Sequence, residues 1–130
     1  MRNLVVAKYI YGTLVKGYTH DFLPTQEEFH IQDENDPSKI ETVYLSKLKA
    51  LFFVKTTKGN RAYTEHKDIS KRRMYGKPVE VKFLDGEVIR GYTQVYNREG
   101  KGFFMFPADD KSNNERIFVI WDATQSVKFL

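Results

Sequence analysis
The stretch Gly12-Thr13-Leu14-Val15-Lys16-Gly17-Tyr18-Thr19 returns as Gly86-Glu87-Val88-Ile89-Arg90-Gly91-Tyr92-Thr93, 74 residues later. At that offset residues 5–31 align with 79–105 without a gap. Seven of the 27 pairs are identical: Val5/Val79, Lys8/Lys82, Gly12/Gly86, Gly17/Gly91, Tyr18/Tyr92, Thr19/Thr93 and Phe29/Phe103. Average composition would give about two. Most other pairs swap like for like, as Tyr9 for Phe83 or Lys16 for Arg90. A chain of 130 residues would otherwise be read as one domain. The repeat instead divides it into a first unit over 1–55, a linker over 56–78 and a second unit over 79–130.

Units of roughly 50–60 residues lie near the lower limit for burying enough surface to fold alone. The two halves are therefore expected to pack on each other, across a pseudo-twofold relation. Ten Phe, eight Tyr and one Trp supply the bulk of the core. The absence of Cys excludes a disulfide framework and most structural zinc sites, and suits a reducing compartment. The only uninterrupted apolar run near the N-terminus, residues 4–7, is too short for a signal peptide, and no membrane-spanning run is found. The expectation is a cytoplasmic protein with no membrane association.

Charge is unevenly placed. Residues 55–78 carry a net +6 and residues 20–45 a net −6, within an overall +4. Two such runs either pair with each other, in one chain or across a dimer, or the basic one serves a polyanion.

The pattern reads as strands throughout. Residues 79–84 alternate, with Val79, Val81 and Phe83 on one face and Glu80 and Lys82 on the other. Residues 4–9 are the counterpart, with Val6 in place of Glu80, so that side of the first unit is expected to be covered. Asp85-Gly86 between apolar runs signals a hairpin, and Tyr11-Gly12 fills the same place. Second strands follow over 13–22 and 87–96, with Gly17 and Gly91 inside them. A glycine within a strand marks a bulge or sharp bend where a side chain would clash. Third strands are expected over 29–32 and 103–106, and fourth strands over 40–45 and 116–121. Tight turns over 46–50 and 122–126 then lead into fifth strands over 51–54 and 127–130. In the linker, residues 63–73 lack Gly and Pro and read as a short helix with Lys and Arg at its C-terminal end.

Five strands, a glycine-bent second strand and one helical turn before the fifth resemble SH3-like and Sm-like small barrels. The run from Val79 through Asp85-Gly86 to Gly91 is similar to the first Sm motif. The resemblance implies an all-β fold of two tandem five-stranded barrels and says little about function, because such barrels host many. The Sm RNA-contacting loop has an Asp followed shortly by an Asn. Here Asn97 lies near that place, but Val95 stands where the Asp would be. The blocks Gly91-Tyr92-Thr93 and 102–119 also resemble an uncharacterised bacterial family whose members accompany signalling domains, which implies a regulatory or interaction role.

Catalytic patterns are missing. The Gly12 and Gly86 repeats have Tyr18 and Tyr92 where a phosphate-binding loop needs Lys. His20, His30 and His66 lack metal-ligand spacing, and there is no nucleophile elbow. No enzyme activity, cofactor or metal is expected. The basic Lys71-Arg72-Arg73, leading into a strand, resembles PilZ domains, in which an Arg-rich segment grips cyclic di-GMP; arginine suits phosphate through its planar paired donors. The PilZ arginine pair would need Arg where Lys77 stands, and of its downstream motif only Gly100 is kept. Ser112-Asn113-Asn114-Glu115-Arg116 is the most polar loop. Asn there fits a turn, whereas Asn113, Asn114 and Arg116 together would offer donors to a partner. The sequence thus implies a non-catalytic interaction module in bacterial regulation, engaging a protein or itself. The alternative is nucleic-acid or cyclic-dinucleotide binding through the linker, with Lys71, Arg72 and Arg73 as the contacting residues.

Overall fold
The computed structural model describes residues 2–58, 76–94, 98–109 and 111–130. The expected linker helix, and with it Lys71, Arg72 and Arg73, lies outside them.

The repeat is visible first in the hairpins. β1 (Asn3–Tyr9) runs into β2 (Leu14–Thr19), and β6 (Lys77–Phe83) into β7 (Val88–Thr93). Tyr9 N–H donates to Thr13 O in the first turn, and Phe83 N–H to Glu87 O in the second. Gly12 and Gly86 occupy the turns at φ 90° and 93°, a region costly for any side chain. Val79, Val81 and Phe83 are buried and alternate as their spacing requires; Val5 and Ala7 do the same in β1. Gly17 and Gly91 have a steric reason. A Cβ at Gly17 would lie 2.1 Å from Gln32 O, and one at Gly91 2.0 Å from Phe106 O, so the following strand can cross closely only over a bare backbone.

β3 (Glu28–Gln32), β4 (Ile40–Tyr44) and β5 (Leu48–Val54) complete the first half. β8 (Gly102–Pro107), β9 (Asn114–Ile120) and β10 (Thr124–Phe129) complete the second. Before each last strand the chain makes a single 3-10 turn, Leu45–Lys47 or Trp121–Ala123. These turns close after three residues, so the last strands are longer than the sequence suggests. The second strands are shorter, ending at Thr19 and Thr93.

All ten strands form one antiparallel sheet, in the order β10-β6-β7-β8-β9-β5-β1-β2-β3-β4. Each half has the same internal order, last strand beside first and then second, third and fourth. The all-β expectation holds. Of the two closed barrels, what is seen is two five-strand halves of one continuous sheet; among the described residues no ladder joins β4 to β5 or β9 to β10. One apolar cluster spans both halves, with Phe29, Leu48 and Phe53 from the first and Phe83, Phe118 and Val119 from the second.

The halves meet where β5 pairs with β9, through Ala50↔Val119, Leu51↔Phe118, Phe52↔Ile117 and Phe53↔Arg116. This corrects the expected pseudo-twofold. A twofold would pair equivalent strands, whereas here the fifth strand of one half meets the fourth strand of the other, a head-to-tail contact. Val6, the apolar residue on the outer face, is half-buried beside Phe52, which in turn lies opposite Ile117 of the second half.

Candidate functional site
The β5·β9 junction gathers aromatic residues from four strands and a loop. Phe22 stands edge-on to Phe29 at 5.1 Å and to Phe118 at 5.3 Å, and Phe104 edge-on to Phe118 at 4.9 Å. These offset geometries are the favourable ones for ring quadrupoles. Across the ladder, Arg116 lays its guanidinium over Phe53 at 4.1 Å and over Phe104 at 4.8 Å. Beside it opens a recess of about 380 Å³, mostly apolar, walled by Pro24, Gln94, Phe104, Phe106, Arg116 and Phe118. Arg116 also borders a second depression with Leu4, Phe53 and Glu115. Among the described residues it is thus the one cation on a wall between two grooves whose other large side chains are mainly aromatic.

The other loop residues singled out in the sequence take different roles. Asn113 closes a ring of hydrogen bonds with Thr56. Its Nδ2 donates to Thr56 O at 2.8 Å, and its Oδ1 accepts from Thr56 N–H at 3.1 Å. Lys55 N–H adds a bond to Asn113 O at 2.9 Å. The Asn113 amide therefore fastens the loop before β9 to the end of β5. Asn114 is opposite Val54 in the ladder, and its N–H donates to Ser112 Oγ at 3.0 Å. Of the three, Arg116 faces the recess.

Lys49 was not legible as special. It sits in the apolar run of β5, and its side chain is 3% exposed. Its ammonium meets two carboxylates on the β6–β7 turn of the other half: Asp85 at 2.7 Å, and Glu87. It also lies over the Phe83 ring at 4.6 Å. Burial opposes its charge, yet the bonds it donates to Asp85 and Glu87 outweigh that and hold its pKa above the ordinary value. The Lys49 hydrogen bond, and then the Glu87 N–H, hold Asp85 below its own. The available signal was a lone Lys between Leu48 and Ala50.

In the first half, Asp21 accepts from the His30 N–H at 3.0 Å and from Thr19 Oγ1 at 3.2 Å, and it meets His30 Nδ1 at 2.7 Å. Desolvation pushes its pKa up, but these bonds prevail and lower it. Of the acidic 20–45 stretch, Glu34 takes the Thr57 hydroxyl, which brings it to the start of the basic stretch. Among the described residues no group of three or more His, Asp or Glu could hold a metal ion, and no helix is long and apolar enough to cross a membrane.

A family of unknown function, DUF6982, matches residues 1–130. The chain belongs to that family. No curated protein and no solved structure matches it. What the DUF6982 chain offers chemically therefore comes from its own geometry: an aromatic recess with a guanidinium on its wall.

Proposed function
We propose that this DUF6982 chain is a non-catalytic interaction module, built from two small SH3-like units, that takes an apolar or aromatic side chain of a protein partner into the junction recess. The observation that carries this reading is Arg116 lying over Phe53 and Phe104 at the rim of that recess. Aromatic residues and arginine dominate the energetically important parts of protein interfaces. The recess volume falls within the range of small binding clefts. A regulatory setting in bacteria is what the sequence resemblance supports. The test is selection of peptides on the immobilised chain, followed by calorimetry against wild type, Gln94→Trp and Arg116→Ala. Gln94→Trp fills the recess mouth without touching the core. Selected peptides should carry aromatic or large apolar anchors and lose at least about tenfold in affinity to Gln94→Trp. Equal binding to all three proteins would overturn the recess. Binding to oligonucleotide or cyclic dinucleotide alone, falling steeply with salt, would favour Lys71, Arg72 and Arg73 instead.

A further inference from the structure
The junction between the halves is one of two places where the repeat could make the same contact. The first three strands repeat at an offset of 74, and the fourth and fifth at an offset of 76. Phe29 lies opposite Val43 as Phe103 lies opposite Val119, and Val5 lies opposite Phe53 as Val79 lies opposite Phe129. β4 is therefore the equivalent of β9, and β10 the equivalent of β5. Inside the chain β9 and β5 are joined. Among the described residues β4 pairs only with β3 and β10 only with β6, so neither outer edge has a second strand beside it among them.

We propose that copies of this chain associate head to tail, β4 of one copy pairing with β10 of the next in the register of the internal β9·β5 ladder. Shifting the internal pairs by the repeat offset names the contacts. Phe52↔Ile117 becomes Lys128 opposite Glu41, and Phe53↔Arg116 becomes Phe129 opposite Ile40. Leu51↔Phe118 becomes Val127 opposite Thr42. The register brings a cation to an anion. It also brings together two of the large apolar side chains the surface leaves out, Phe129 at 47% and Ile40 at 62% exposure.

A second observation favours this register. Along one row of the sheet Arg90 lies opposite Glu80, and Glu80 lies opposite Lys128. Arg90 Nη2 binds Glu80 Oε2 at 2.7 Å. Glu41 of the next copy extends the row with the alternating sign intact. Opposite charges directly across an antiparallel pair stabilise it, and like charges there destabilise it. A twofold contact between equal edges would set β4 against β4 or β10 against β10, and neither end copy could then repeat the junction. The head-to-tail contact leaves an open β4 at one end and an open β10 at the other, so it closes into a ring or grows into a filament.

The proposal gives one partner to the interaction role inferred above, and it does not depend on the recess. Peptide binding and self-association are separate readouts, so either can fail alone. The test is sedimentation velocity on the full chain at rising concentration, with circular dichroism to confirm folding. At about 100 µM the wild type should exceed the 15.3 kDa monomer mass, the weak range expected of a small edge contact. Glu41→Lys alone and Lys128→Glu alone should each return the mass to that of the monomer, since each sets like charges opposite. Mixing the two variants should restore association, because each then offers the complement of the other. Ile40→Lys, which changes no existing ion pair, should also give monomer. A wild type that stays at 15.3 kDa throughout, a mass capped at a dimer, or single variants that associate as the wild type does would each overturn the proposal.

Discussion

The β5·β9 junction and the outer β4 and β10 edges are the same structural position written in different chemistry. At the junction, Leu51, Phe53, Ile117, Phe118 and Val119 are buried, and the row Val6–Phe52–Ile117 crosses it without a charge. At the outer edges the equivalent row carries Glu80 and Lys128 on one side and Glu41 on the other. An apolar ladder is permanent, because separating it would expose aromatic surface to water. A charged, half-exposed ladder is reversible and salt-sensitive. One repeat unit thus supplies an intramolecular weld and a pair of charged outer strands by changing a few side chains on two strands.

The most direct way to break this comparison is to cut the same position on both sides. Phe118→Ala empties the core at the junction and should cost about 3–5 kcal/mol in urea or thermal unfolding. Thr42→Ala, its equivalent on β4, should stay within about 0.5 kcal/mol of wild type. Similar losses from both would mean that the β4 edge contributes as much to folding as the junction does.

The two halves can be compared in the same way at Gly91 and Gly17, where an added Cβ would meet a backbone oxygen at 2.0 and 2.1 Å. Gly91→Val and Gly17→Val should each destabilise by about 3 kcal/mol or more, lowering the melting temperature by roughly 10 °C. A wild-type melting temperature in either variant would show that the crossing strands relax at low cost and that the two halves are not under one constraint.

A smaller effect sharpens the contrast at Lys49, whose equivalent on β10 is the exposed Gln125. Asp85→Ala with Glu87→Ala leaves Lys49 buried without its partners. The expected loss is about 2 kcal/mol, less than for a fully buried pair because the carboxylates are 46% exposed. Lys49→Met, which removes the charge and keeps the bulk, should lose less. The pH dependence follows from the shifts. The Asp85 pKa is depressed, so its contribution is complete above the ordinary value of 3.8 and lost as pH falls through the lower folded value. The Lys49 pKa is raised, so its contribution is complete below 10.5 and lost as pH rises through the higher folded value. The stability difference between wild type and the double variant should therefore be flat between those limits and shrink outside them. A difference that peaks or vanishes near neutrality would rule out this ion pair as its source.

Much of the strand plan was legible because it depends on local pattern. Alternation at residues 79–83 assigns faces, and Asp85-Gly86 and Tyr11-Gly12 place the hairpins. Seven identities at one offset then copy the plan onto the other half. The site was legible only at Arg116. Asn113 reads as a displayed donor until its amide is found closed on Thr56, 57 residues away. Phe104, at the heart of the recess, aligns with His30 and so carries no repeat signal.

The sequence by itself determined that the chain is a duplicated, all-β unit with glycine turns and two close strand crossings. These follow from side-chain period and backbone sterics within a few neighbouring residues. Only the tertiary structure decided that the halves join head to tail, fifth strand to fourth, and that Lys49 finds its carboxylates 36 and 38 residues along the chain. The reason is physical. Every strand edge offers the same row of N–H and C=O groups whatever its sequence, so local pattern cannot say which edges meet. That choice rests on the summed burial and charge of side chains brought together from distant segments, and those sums exist only in three dimensions.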